Sequence, residues 1–177
     1  SCLLVEKEDR LGGAPILEGY AKLVPSGEWA RDAIGGMVSR VEEAESLFDE
    51  AMALFDKAMT LFEQLDNAKG IVETLISLAN VEQARGDSNA SITRLQGALE
   101  RCEAEGFFLL QAQVLSGLGK GYLDLGKYET ALEHHSRALE INKQIGNRAQ
   151  EGINLGNMAI IYKQNSDHEK ALDHYTK

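Results

Sequence analysis

The sequence is poor in everything that interrupts a helix or staples a small fold. It has only two prolines, Pro15 and Pro25, so nothing after residue 25 forbids a helical backbone. Aromatic residues make up 6% of the chain. The two cysteines, Cys2 and Cys102, lie far apart with no CxxC or CxxH spacing, so neither a disulfide framework nor a zinc site is signalled, and a reducing cytoplasm fits. Cations are scarce, 18 Lys and Arg against 28 Asp and Glu for a net charge of −10. Nucleic acid and anionic membrane surfaces, which need clustered cations, are therefore poor partners. No apolar run approaches membrane-spanning length, and the opening SCLLVEKEDR carries charges where a secretory leader needs a continuous apolar stretch. A soluble protein is expected.

What remains is rich in Ala, Leu, Glu, Lys and Gln, the residues that lose least on entering a helix. With 177 residues and 44% hydrophobic content the chain can bury a real core, and an all-α fold is expected. Sliding the sequence against itself by 40 positions brings it into phase. Leu75 falls on Leu115 and Leu155, Gly86 on Gly126, Ala98-Leu99-Glu100 on Ala138-Leu139-Glu140, and Gly106 on Gly146. Tyr122 falls on Tyr162, Ala131-Leu132 on Ala171-Leu172, and His134 on His174.

Each period reads as two amphipathic helices. Leu115, Leu118, Gly119 and Tyr122 follow helical spacing, Gly126 marks a turn, and Ala131, His135 and Ala138 resume the spacing. The second helix is expected to end at Gly146, with Asn147 capping the next first helix and Gln150 three residues on. Short side chains at Gly119, Ala131 and Ala138 let paired helices approach closely.

The segment LGKGYLDLGKYETALEHHSRALEI, residues 118–141, resembles a tetratricopeptide repeat in its small, aromatic and Ala-Leu landmarks. The next copy keeps Tyr162 and Ala171 but has Ser166 in place of the turn glycine. The preceding one keeps Leu78, Ala79, Gly86 and Ala98 but has Glu82 where the first-helix aromatic belongs. A period of 40, against the common 34, is similar to the long repeats of kinesin light chains and bacterial peptide-sensing regulators. The resemblance implies an α-α superhelix of stacked antiparallel helix pairs.

On this reading residues 1–27 are an N-terminal extension with a short helix around residues 16–23 and a possible capping role. Residues 28–177 form the solenoid, with repeats at approximately 32–66 (degenerate), 72–106, 112–146 and 152–177 (truncated). In the degenerate repeat Phe48, Ala51, Phe55, Ala58 and Phe62 match second-helix spacing with no turn glycine before them. Either the first helix breaks near Ser46, the favoured alternative, or one long helix runs through. The sequence stops inside a second helix, so a longer natural protein is expected, and exposure of Ala171, Leu172 and Tyr175 makes self-association through this helix an expectation.

The resemblance also implies that the first helix of each pair lines a concave groove for a peptide or protein partner. The groove-facing residues would be Glu73, Ser77, Asn80, Gln83, Gln113, Ser116, Lys120, Asp124, Asn157, Lys163 and Gln164, polar and mixed in sign. Lysines and asparagines that would clamp a C-terminal carboxylate are missing, since Ile76, Ser116 and Gly156 precede Asn80, Lys120 and Ile160 by one turn. No catalytic residues, metal ligands or cofactor motifs emerge. His135 takes a core aromatic position, Ser166-Asp167-His168 are contiguous and so cannot form a triad, and Gly12-Gly13 and Gly35-Gly36 lack phosphate-loop context. The reading is a non-catalytic, cytoplasmic interaction scaffold, with a ligand-sensing input domain of a larger signalling or transcription-regulating protein as the alternative.

Overall fold

A computed structural model describes residues 28–165, leaving the expected helix at residues 16–23, the turn at Ser166 and the helix carrying Ala171, Leu172 and Tyr175 outside the described residues. Among the described residues there are six α-helices and no strand. They are α1 (Glu28–Gln64), α2 (Ala68–Ala84), α3 (Ser88–Glu105), α4 (Phe108–Asp124), α5 (Tyr128–Gln144) and α6 (Arg148–Gln164). The chain divides into two compact units, Ser1–Leu54 and Phe55–Lys177. In the first, the described residues all belong to α1.

The break favoured at Ser46 does not occur, because α1 is one helix of 37 residues. From Met37 to Gln64 it contains neither glycine nor proline and is built largely from Ala, Met, Leu and Glu, and a single exposed serine costs too little to interrupt it. The first helices also begin four residues before the expected repeat starts, at 68, 108 and 148 instead of 72, 112 and 152. The reason is local, since each starts two residues past a turn residue with positive φ. These are Asp66 (50°), Gly106 (71°) and Gly146 (70°). Gly86 and Gly126, at 85° and 70°, do the same within each hairpin. Asp66 shows how the degenerate repeat manages without a glycine, since Asp enters the left-handed region more easily than most residues.

Consecutive helices in the second unit pack as hairpins, α2 with α3 and α4 with α5, and α4 also packs on α3. The core shared by α2, α3 and α4 contains Val72, Ala79, Ile92, Leu95, Ala98, Cys102, Leu110, Val114 and Leu118. Each fully buried leucine contributes roughly 1.5–3 kcal/mol relative to exposure. Close approach is needed at α4, where a Cβ on Gly119 would lie 2.6 Å from the His135 ring of α5 and one on Gly121 2.8 Å from Ile92 of α3. Helix α4 therefore accepts the propensity cost of GLGKG, about 1 kcal/mol per glycine relative to alanine, in exchange for contact on two sides.

Candidate partner-binding face

The first helices α2, α4 and α6 repeat at 40-residue intervals, so one open stripe runs Glu73–Ser77–Asn80 on α2 and its equivalents Gln113–Gly117–Lys120 and Ile153–Asn157–Ile160 on α4 and α6. Glu73, Asn80, Gln113, Lys120, Asp124, Lys163 and Gln164 are exposed, and Ser77, Gln83 and Asn157 are half-buried. Glu73 pairs with Lys69 at 3.6 Å on the helix surface, and the Ser77 hydroxyl donates to the Glu73 carbonyl. Gln83 Nε2 donates to Asp124 Oδ2 at 2.9 Å, joining the ends of α2 and α4.

Ser116 needs correcting. It is turned away from the open stripe, its Oγ 2.8 Å from Asn154 Oδ1 of α6 and 3.0 Å from the Ala112 carbonyl. One residue of helical offset, 100° of rotation, carries it from the open face into the contact with the next repeat. Asn154, fully buried, organises that contact. Its Oδ1 lies 3.2 Å from His135 Nδ1 and its Nδ2 donates to the Gln150 carbonyl. A proton on His135 Nδ1 satisfies this arrangement. Burial pushes the His135 pKa down, against the Asn154 hydrogen bond that raises it. His135 is thus a neutral core residue seated on Gly119. His134 is different, half-buried and stacked parallel on Tyr122 with ring centroids 5.2 Å apart.

Sequence reasoning missed one concavity among the described residues. A cleft of about 620 Å³ opens between α2 and the first turn of α4, lined by Ile76 and Phe107–Leu110 on its apolar side and by Lys69, Glu73, Ser77 and Gln113 on its polar side. Phe108 and Leu109 are 57% and 50% exposed. A signal was present. Asn67 and Asn147 cap α2 and α6 through their side chains, accepting from the amides of Gly70 and Gln150, whereas Phe107 at the head of α4 makes no side-chain cap. An exposed apolar run stands there where α2 and α6 have a side-chain cap. Ile153 and Ile160, also exposed, make the α6 end of the stripe apolar as well.

The chemistry available is hydrogen bonding from amides and hydroxyls, apolar contact and scattered charge. Cys102, the free cysteine among the described residues, is fully buried, and burial with Glu103 nearby pushes its thiol up to about 11, far from reactive. No helix among the described residues is long and apolar enough to cross a membrane.

Residues 110–177 match the family model described as tetratricopeptide repeat. Over 52 residues the chain is 44% identical to a photosystem I assembly protein, Ycf3, of Prochlorococcus marinus, a match covering 29% of this chain and 28% of that protein. Among solved structures, the tetratricopeptide-repeat domain of Arabidopsis FLU aligns with a TM-score of 0.59 at 23% identity, over 62% of this chain and 92% of that one. Bacillus thuringiensis PlcR in complex with the peptide PapR7 and DNA aligns at 0.62 and 15% identity, over 94% of this chain and 62% of PlcR. A Podosopora anserina putative kinesin light chain with nearly identical TPR-like repeats aligns at 0.58 and 15% identity, over 94% and 86%. At such identities these structures speak for the fold alone, an all-α superhelical repeat. Residues 110–177 are thus similar to tetratricopeptide repeats, and the hairpins recurring every 40 residues share the all-α superhelical fold of these long-repeat structures.

Proposed function

We propose that the chain is a non-catalytic docking module of the cytoplasm that holds a segment of a peptide or protein partner along the open stripe of α2, α4 and α6. The observation that carries this reading is the cleft beside Phe108 and Leu109, where apolar surface and exposed polar groups of two successive first helices converge. An apolar side chain can fill it, while Gln113, Ser77 and Asn80 can hydrogen-bond a peptide backbone whatever its sequence. Exposed apolar surface framed by polar groups is what an interaction site looks like on a protein surface. Lys120, Asn157, Lys163 and Gln164 extend the stripe beyond the cleft.

The test is to select ligands from a phage-displayed peptide library and titrate the best by calorimetry. Phe108→Ser should weaken binding about fivefold or more, as expected for an aromatic anchor worth at least about 1 kcal/mol. Lys120→Glu and Asn157→Ala should each weaken it less, and none should lower the melting temperature. A peptide indifferent to all three variants would remove the stripe from consideration.

The alternative, a sensing input domain, draws support from the shared fold with PlcR, whose structure holds a peptide and DNA. It differs in one expectation. Peptide binding should change the mutual orientation of the hairpins, read as a shift in the small-angle scattering curve, whereas a passive dock leaves the curve unchanged.

A further inference from the structure

Three rows with a spacing of seven residues run along α1. They are Phe48, Phe55 and Phe62; Ala44, Ala51 and Ala58; and Leu47, Leu54 and Leu61. The phenylalanines are half-buried, and Phe62 covers Gly70 of α2 so closely that a Cβ there would collide with its ring. At Phe62 that row is engaged. The leucines are 59%, 65% and 58% exposed, and no residue described on α1 is fully buried. Alternating steps of three and four between the Ala and Leu rows give a 3.5-residue repeat, which stays on one face of a helix only when it winds against another helix.

We infer that this seam is where a second copy of the chain packs, with its α1 antiparallel to the first. The sizes along the seam point to that orientation. In the register that sets Leu47 against Ala58 of the second copy, Ala51 meets Leu54 and Ala44 meets Leu61. Every layer then pairs one large with one small side chain, and the axes can approach to about 8 Å. The charges agree. The same register puts Glu50 beside Lys57 of the second copy and, by two-fold symmetry, Lys57 beside Glu50, while Glu43 faces the uncharged Gln64. A parallel pair would instead stack Ala on Ala and Leu on Leu, and would bring Glu50 and Lys57 against the phenylalanine row, where neither finds an opposite charge. Flanking charges of this kind set orientation in paired helices more than they set affinity. The inference is independent of the groove on α2, α4 and α6.

Sedimentation equilibrium on the 177-residue chain tests it. A monomer–dimer equilibrium is expected, with average mass rising with concentration. Leu54→Lys, at an exposed position, should raise the dimer Kd at least about tenfold with helical circular dichroism unchanged. Glu50→Lys should raise it about threefold or more, and Glu50→Lys combined with Lys57→Glu should restore it. A mass that stays monomeric at every concentration would overturn the proposal, as would a dimer that tolerates Leu54→Lys, which would instead place self-association elsewhere. A double variant no tighter than Glu50→Lys alone would overturn the antiparallel register.

Discussion

The hairpins α2–α3 and α4–α5 occupy equivalent places 40 residues apart but are held by different chemistry. In the earlier one Glu82 and Arg94 form an ion pair across the two helices; 40 residues later the same two positions hold Tyr122 and His134, stacked face to face. Ala79 and Leu95, both buried, become Gly119 and His135, so that a ring reaching further from the second helix is met by the loss of a methyl on the first. Asp87 caps α3 through its side chain, accepting from the Ala90 amide, while its counterpart Lys127 leaves α5 without a side-chain cap and lies 5.7 Å over the Tyr122 ring. The lesson is that the repeat fixes volumes and turns, and leaves open which interaction satisfies a given pair of positions.

The sharpest way to break the comparison is at the close contact of Gly119 with His135. Gly119→Leu should cost about 3 kcal/mol or more, because the new side chain must enter space held by the buried His135 ring. The milder Gly119→Ala should be partly rescued by His135→Leu, which recreates the earlier hairpin's Ala and Leu. Denaturant unfolding of the three variants checks both. If Gly119→Leu leaves the midpoint where it was, the helix contact assigned here is wrong.

Next in size is the exchange of polar for aromatic pairing. Arg94→Ala leaves the Glu82 carboxylate nine-tenths buried without its cation and should cost about 1–3 kcal/mol. The double variant Glu82→Tyr with Arg94→His, which copies Tyr122 and His134, should recover most of that loss. Failure of the double variant to exceed both singles in a thermal melt would show that the two hairpins are not interchangeable at this position.

The histidines give the hairpins different pH responses. Both His134 and His135 have pKa values lowered by burial, with Arg137 adding to the effect on His134. A histidine depressed in the folded state binds its proton more readily when unfolded, so stability is full above the unfolded pKa near 6.5 and declines as pH falls below it. The melting temperature should therefore drop between about pH 7.5 and about pH 5.5, and His135→Phe should make that drop shallower. An identical slope in the variant would mean that His135 is not held neutral by the fold.

Smallest are the caps. Asp87→Ala should cost about 1 kcal/mol, and Lys127→Asp should add up to about 1 kcal/mol, reduced by the cation–π contact it gives up. Opposite shifts in unfolding midpoint are the expected readout. A destabilising Lys127→Asp would show that the stacked Tyr122 matters more than the cap.

Much of this was legible because turns and small residues act locally. Gly126 and Gly146 announce their own positive φ, and Asn147 sits where its side chain reaches the Gln150 amide. His135 could be assigned to the core by its place in the period. Ser116 could not be placed, because a hydroxyl suits solvent and an interface equally, and the decision depended on Asn154, 38 residues away. Glu82 looked like a defect in the pattern until Arg94 was seen beside it. The break favoured at Ser46 came from forcing α1 into the hairpin pattern, although its own composition supports a continuous helix.

The sequence by itself therefore determined the helical class, the period of 40, the turn positions and the small-residue contacts, since each depends on backbone conformation or side-chain volume within a few residues. Tertiary structure alone decided which polar side chains face one another, that Phe108 and Leu109 border a cleft with Ile76, and that the leucine row of α1 stays uncovered. Those are questions of which surfaces meet across distant parts of the chain, and exposure is set by neighbours that no local pattern encodes.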